Sequence, residues 1–486
     1  MNSINKKTYQ AYSEAVSFIV YMIKTKSNAM RLIYLVFISS MIFMPTTSSA
    51  ANRNAASCSY SDVSSAYSAA SAGDTVIVPS GNCSWSSTLT ISKGITLQGA
   101  GASSTVITSS MGSYSKLISI TPASDALPTR VTGFGFQLGN LNSGRSAIYI
   151  YGRPATTFIP RNIRIDHNAL TGGGGGPGGI VTYDQVYGVI DHNTFTNVYS
   201  GVFGWGAYDQ AQIWVDAYKA GGIKAGTADA MFVEDNLFKY TTAINGASID
   251  ASVYIQQGAS YVVRHNTFDA STISVNVIEL MYNHHGNQAY CNGAGCDPFR
   301  GQPIFESYNN TGICAANNCE FMSMRGGSNI IHDETFKASG SPWAIVKFDE
   351  EECWQTAFFS PLRTAWPAQD QVMNSFVWNV NYNGSNITDV TIAGDNGGCA
   401  KKFIVKDRDY FMHAPQASGG KESFTGTRYG GSNTAPTTSD TGSMTFSSSG
   451  SNAYYPYSPY TYPHPLAGGV TGTLVAPSAL RITSLY

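Results

Sequence analysis

The 486-residue chain has little charge: Asp, Glu, Lys and Arg together make up 12% of it, about half the share of an ordinary globular protein. Basic and acidic residues nearly cancel, 29 against 31. No basic stripe interleaved with aromatics occurs, so nucleic acid is not an expected partner. The apolar run Leu32–Met44 is about 13 residues, short for a bilayer span, and no other segment approaches the ~18 that a span needs. The Gly-rich stretch 172–179 (GGGGGPGG) lacks the Lys-Ser/Thr of a phosphate-binding loop, so a nucleotide is not expected either.

The apolar run itself reads as a targeting signal. Met30-Arg31 precedes it, and Pro45 and the small residues Ser48-Ser49-Ala50 follow, which is the order of a secretory signal cleaved near Ala50. Residues 1–29 read as an upstream extension. The expected location is therefore secreted or extracellular, periplasmic or cell-surface, with no stable membrane insertion once the signal is removed. Beyond residue 50 the balance becomes 24 basic against 30 acidic. All eight cysteines lie beyond the signal, and an even number in an exported chain favours disulfides. Proximity suggests Cys291–Cys296 and Cys314–Cys319, which leaves Cys58–Cys83 and Cys353–Cys399. The two CxxxxC units are too widely spaced for the usual zinc pairs.

What the chain has in quantity is Gly (49), Tyr (29), Ser, Thr and Asn, a composition suited to a turn-rich all-β protein. An internal repeat organises it. Arg164–Leu170, Val189–Phe195, Phe232–Phe238, Val262–Phe268 and Phe305–Thr311 share a short apolar strand, a polar step, an Asn and a following apolar residue. In a sixth copy, Ile330–Phe336, an Asp takes the Asn position. The Asn residues are 25, 43, 30 and 43 or 44 apart, one or two turns of a coil. Each coil is too small to bury its apolar side alone, so coils must stack about 4.8 Å apart. Asn suits a bend that needs a left-handed residue. On this reading His167, His192, His265 and the acids beside them belong to the scaffold.

The fold expected is all-β, a right-handed parallel β-helix with a short N-terminal capping helix over Ser61–Ala72. Strands are expected at Thr75–Val78, Leu89–Ile91 and Ile95–Leu97. One domain would span 51–466, with a Ser/Gly/Thr-rich surface excursion at 416–453 and a tail at 467–486. The opening Gly73–Gly101 (GDTVIVPSGNCSW…LTISKGITLQGAG) resembles the N-terminal coil of the pectate-lyase-like β-helix superfamily. Arg408–Phe411, Ala414-Pro415 and Tyr457–Leu466 (YSPYTYPHPL) resemble the C-terminal segment of a group of exported bacterial β-helix proteins. The resemblance runs from about residue 60 to 466 and implies the fold. The polygalacturonase motifs that occur on this scaffold are absent, His284-His285-Gly286 being a faint echo of one of them. Of the pectate-lyase motifs, only Ile165-Asp166-His167 and Ile190-Asp191-His192 match a part, and both lie inside the repeat.

Strand alternation supplies candidate site residues. It turns Glu279, Glu306, Arg325, Lys347 and Asp349 outward, and Ile278, Leu280, Met322, Met324, Val346 and Phe348 inward. Glu279, Glu306, Arg325 and Lys347 follow one another at 27, 19 and 22 residues, each about one coil, which would stack them on one outer face. The loop after Glu279 adds His284, His285 and Arg300. Such a group suits an acidic polysaccharide. Arg325, or Ca²⁺ held by Glu279 and Glu306, would neutralise a uronate carboxylate. Lys347, His284 or His285 would remove the adjacent proton. Within the aromatic stretch 199–218, Tyr199, Phe203, Trp205, Tyr208 and Trp214 offer a sugar-stacking platform or, alternatively, core packing under a loop. The expected activity is thus a polysaccharide lyase acting by β-elimination. The alternatives are a non-catalytic adhesin, spike or matrix protein, for which the charges form only an ion-pair ladder, and a glycoside hydrolase using Glu279 and Glu306 as paired carboxylates.

Overall fold

The structure is a computed structural model. It describes residues 50–139, 144–152, 159–172, 178–205, 225–241, 248–249, 251–256, 259–273, 277–283, 304–349, 372, 375–393, 400–407, 409–415 and 457–468. The signal segment, the excursion 416–453, His284, His285, Arg300, Tyr208, Trp214, Cys291, Cys296, Cys353 and Cys399 lie outside the described residues.

Short strands joined by turns recur in threes, and each third strand pairs with the one three steps back. Three long sheets result. The first has 12 strands, from Asn52–Asn54 to Tyr410–Phe411; the second has 11, from Gly81–Trp85 to Ser385–Asn386; the third has 11, from Leu89–Ile91 to Thr391–Ala393. Among the described strands pairing is parallel except between Asn381–Tyr382 and Ser385–Asn386, at the end of the second sheet. A right-handed crossover is the rule for parallel strands joined this way, and the chain is a right-handed parallel β-helix.

Identical pleat positions fall in register, so like side chains pile up inside. In the first sheet Val76, Leu97, Val131, Ile165, Ile190, Val233 and Val263 form one aliphatic stack. In the third, Ile118, Ile148, Ile180, Val202, Val253, Met281, Met322 and Val346 form another. In the second, Phe195, Phe238 and Phe268 stack with ring centroids 4.6 and 4.9 Å apart. That stack is interrupted at Gly312, and Phe321 and Leu280 from the third sheet enter the gap. This is why Leu280 and Met281, adjacent in sequence, are both buried.

The helix expected at the N-terminus is present at Tyr60–Ala69, capped by Ser59, whose side chain accepts from the Asp62 amide. Val63 and Ala66 on this helix belong to the core, so the helix closes the first coils. Cys58–Cys83 and Cys314–Cys319 are bridged.

The repeated Asn residues do join coil to coil. The backbone N–H and the side-chain amide of Asn168 both donate to Asn193 Oδ1 at 3.0 Å. The same pair of bonds runs from Asn193 to Asn236, Asn236 to Asn266 and Asn266 to Asn310. Two expectations are corrected. The left-handed residue is the one before Asn: His167, His192, Asp235, His265, Asn309 and Asp333 have φ between 52° and 56°. The Asn itself must keep its amide turned along the ladder, and the corner strain falls on its neighbour. In the sixth copy Asp333 therefore occupies the corner, and Glu334 takes the Asn slot, accepting from Asn310 N and Nδ2 at 2.9 and 3.0 Å. Burial pushes the Glu334 carboxyl up to about 8, against the hydrogen bonds from Ser307 and Asn310 that favour its charge.

Candidate functional site

The outer face of the third sheet carries a column of side chains in register: Tyr149, Val181, Phe203, Tyr254, Tyr282, Ser323, Lys347. Beside it, Tyr151, Tyr183 and Trp205 form a second column. Alternation produces this arrangement locally: in Ser146–Tyr151 (SAIYIY), Ile148 and Ile150 point in, so Tyr149 and Tyr151 must point out. The rings touch from coil to coil. Centroids are 5.9 Å apart for Tyr151–Tyr183, 5.5 Å for Tyr183–Trp205, 5.9 Å for Trp205–Phe203, 4.8 Å for Phe203–Tyr254 and 5.0 Å for Tyr254–Tyr282. Lys116 closes one end: its ammonium lies 4.9 and 5.1 Å from the rings of Tyr149 and Tyr151 and donates to the Tyr151 hydroxyl at 2.7 Å.

The other end is charged. The Arg325 guanidinium sits 4.6 Å over the Tyr282 ring and 3.5 Å from Asp349 Oδ2. Lys347 Nζ is 2.7 Å from Glu320 Oε2 and 4.5 Å from the exposed Trp343 ring. Glu279 is the strand partner of Glu320, so two carboxylates occupy neighbouring coils. Lys347, Asp349, Glu320 and Tyr282 are all buried although they lie on the outer side of the sheet. Among the described residues one oxygen of Asp349 and the Ser323 hydroxyl have no hydrogen-bond partner. Burial pushes the Tyr282 phenol well above its ordinary value, Arg325 opposing and Glu279 reinforcing the shift, so the phenol stays protonated at neutral pH. Burial also works against the Arg325 charge, but Tyr282, Asp349 and Glu279 outweigh it and hold the guanidinium pKa above its ordinary value.

Of the residues expected to stack, Glu279, Arg325 and Lys347 do come together on this face, and Trp205 lies in the aromatic column. Tyr199 instead packs against the core. Glu306 does not join the group. It lies on the first sheet, paired with Val262 and Ile330, buried under the C-terminal segment. Gly226 N–H donates to its Oε1 at 2.8 Å and the Tyr457 hydroxyl to its Oε2 at 3.0 Å. Burial raises its pKa to about 7. Glu279 and Glu306 therefore cannot share a Ca²⁺ ion or act as paired carboxylates. A repeat measured in residues does not say which of three sheets a residue falls on. Among the described residues no cluster of three His, Cys, Asp or Glu side chains suits a metal.

The segment that covers Glu306 is Tyr457–Leu466 (YSPYTYPHPL). Arg264, fully buried, donates to the carbonyls of Tyr460 and Thr461 at 2.7 and 2.9 Å and pairs with Glu234. Glu234 accepts from the His464 amide at 2.8 Å. Tyr462 stacks on His265 with centroids 3.7 Å apart. This strap gives Glu234, Arg264, Glu306 and His265 structural work on the first sheet. His167 and His192 stack on each other at 5.0 Å and meet the acids before them, Asp166 and Asp191.

Sequence reasoning missed Glu320 and the tyrosines. The tyrosines carry a signal, the alternation in SAIYIY; Glu320 carries none, because its place opposite Glu279 depends on the intervening loop.

No family model matches the chain, and no curated protein matches it. Among solved structures it is similar to ORF18 of Geobacillus virus E2, at 13% identity over 74% of this chain and 59% of that one, TM-score 0.27. It is also similar to an alginate lyase from Paenibacillus sp. str. FPU-7, at 14% identity over 62% of this chain and 93% of that one, TM-score 0.24. Among the described residues no helix is long and apolar enough to cross a membrane.

Proposed function

We propose that the outer face of the third sheet binds an acidic polysaccharide and cleaves it by β-elimination. The observation that carries the reading is the joining of a continuous aromatic column to a buried cluster of Arg325, Lys347, Glu320, Asp349 and Tyr282 on one face. Tyr151, Tyr183, Trp205 and Tyr254 are partly exposed and offer apolar ring surface and polar edges to a sugar, whereas Phe203 and Tyr282 are buried beneath them. In the reaction the C5–H bond breaks, its electrons form the C4–C5 double bond, and the C4–O bond breaks with the leaving oxygen taking a proton. Arg325, held positive, faces the uronate carboxylate and stabilises the charge that develops on it. The Glu320 carboxylate, held by the Lys347 ammonium, takes the C5 proton, and the protonated Tyr282 phenol is the donor to the leaving oxygen.

The test is the ultraviolet absorbance of the unsaturated uronate product when the purified protein meets pectate, alginate and glycosaminoglycans, with Ca²⁺ and with chelator. A rise that is lost in Arg325→Gln supports the reading, and sensitivity to chelator would add a metal to it. New reducing ends without the absorbance would point instead to hydrolysis, for which Glu279 and Glu320 are the neighbouring carboxylates. Neither signal on any substrate would remove both enzyme readings and favour a non-catalytic surface or matrix role.

A further inference from the structure

Arg325 is the first residue after the strand Cys319–Met324, and residues 325–328 carry the chain from there to the strand Asn329–His332 of the first sheet. Two of them, Gly326 and Gly327, have φ of 108° and 69°, left-handed values that glycine adopts without strain. Such a turn has few side chains of its own to hold it, and a rotation within it would swing Arg325 off the Tyr282 ring. Buried polar groups hold it instead. The Arg325 N–H donates to Asn283 O at 2.8 Å. The Asn283 side-chain amide donates to Gly326 O at 3.2 Å and to Asn329 Oδ1 at 3.0 Å. The Asn329 side-chain amide donates to Gly326 O and Gly327 O, both at 3.3 Å, and to Ser375 Oγ at 3.2 Å. The Asn329 backbone N–H also donates to Ser375 Oγ, at 3.0 Å. Asn283, Asn329 and Ser375 are fully buried.

These bonds form a second ladder, at the corner between the third sheet and the first. As in the ladder from Asn168 to Asn310, the backbone N–H and side-chain amide of one Asn meet a single acceptor on the next coil. Its members follow Tyr282, Arg325 and Asp349 in the chain, so each lies behind Arg325 itself or one of the two groups that its guanidinium meets. We infer that Asn283 and Asn329 are positioning residues for Arg325: the corner ladder fixes the turn from which the guanidinium reaches over Tyr282. The role of Arg325 towards a uronate carboxylate rests on the lyase reading, whereas its placement by the ladder rests on the hydrogen bonds alone. A group that stabilises developing charge works only where that charge appears, and a misplacement of about 1 Å can cost about 10²-fold in rate. Asn329→Ala releases both glycine carbonyls and the tie to Ser375 together.

The experiment reads the placement of Arg325 and the reaction separately. Arginine Nε–H resonances are recorded on the whole protein, that of Arg325 being the one lost in Arg325→Gln. In Asn329→Ala it should shift or broaden, while that of the equally buried Arg264 stays. Ser375→Ala removes one rung only and should move it less; it carries the test if Asn329→Ala does not fold, which thermal melting decides. Asn236→Ala breaks the other ladder and should leave the Arg325 resonance and the activity unchanged. On a substrate that yields the unsaturated product, Asn329→Ala should lower kcat/KM by about 10- to 100-fold and add nothing in the Arg325→Gln background, as expected of residues that act as a unit. An Arg325 resonance that stays put in the folded variants, full additivity with Arg325→Gln, or an equal loss of activity in Asn236→Ala overturns the inference, even if the protein is a lyase. If the parent acts on no substrate, the lyase reading falls, and the resonance still decides whether the ladder sets Arg325.

Discussion

Lys347 and Glu320 lie on adjacent strands, three positions apart in register, and form a buried ion pair, Nζ to Oε2 2.7 Å, on the outer side of the third sheet. Removing one partner leaves an uncompensated charge out of water, which typically costs about 3–5 kcal/mol. Lys347→Met and Glu320→Gln should each lower stability by an amount of that order, and the double variant by less than the sum. Denaturant unfolding of the three variants measures this. Strict additivity would show that the two groups do not act as a pair.

The Asn ladder gives a second prediction. Asn236 donates to Asn266 Oδ1, Ile190 O and Glu234 O, and accepts from Asn193 N and Nδ2. Asn236→Ala strands buried groups on both neighbouring coils, each worth about 1–3 kcal/mol. A loss of roughly 2–4 kcal/mol is expected, read from the denaturant midpoint. A loss below about 0.5 kcal/mol, the size of a surface effect, would mean that the ladder contributes no stability.

Stability should fall as pH rises through neutrality. Glu306 and Glu334 have folded pKa values of about 7 and about 8 against an ordinary 4.5. The fold favours their protonated forms, so their contribution is complete below about 4.5 and is lost as pH rises through 7 and 8. Glu334→Gln keeps an acceptor and removes the charge, so its melting temperature should decline less steeply over that range. A decline parallel to the parent's would show that Glu334 is not the group responsible.

His464 acts in the opposite direction. Burial, with the charges of Arg264 and Arg164, lowers its pKa from 6.5 to about 4. Its contribution is present above 6.5 and is lost as pH falls towards 4. The strap should therefore loosen first in acid, seen as faster proteolysis near residues 457–468 between those pH values. Protection that does not change with pH would contradict it.

Gly312 is the position where the phenylalanine stack is broken. A Cβ there would meet Phe336 at 2.8 Å, Phe321 at 3.0 Å and Leu280 at 3.1 Å. Gly312→Val should cost about 1–3 kcal/mol through overpacking. A variant that melts with the parent would mean that Phe321 can leave the gap freely.

The fold was legible because the repeat carries it at several levels. Alternation puts Val, Ile and Phe inside at positions that recur coil after coil, and the Asn anchor marks each coil. The helix Tyr60–Ala69 and the strands Thr75–Val78 and Leu89–Ile91 are close to where the sequence puts them. The corner was misread by one residue. An Asn whose amide is committed to its neighbours on both sides cannot also supply the left-handed turn, and His167 or Asp333 does so instead.

The candidate site was legible only in part. Alternation turned Lys347 and Asp349 outward, on either side of the buried Phe348, because inward and outward positions follow the period of two along a strand; around Glu279 that period is broken, since Leu280 and Met281 are both buried. It could not place Glu306, because a spacing of one coil leaves open which of three sheets receives a residue when the loops between strands differ in length. Sequence alone thus determined the solenoid, its inner stacks and its N-terminal cap, all of which depend on local periodicity. Tertiary structure decided that Glu306 lies beneath the strap, that Glu320 meets Lys347, and that the tyrosines of distant coils join into one column. Those contacts depend on register summed over many loops, and only the folded coil completes that sum.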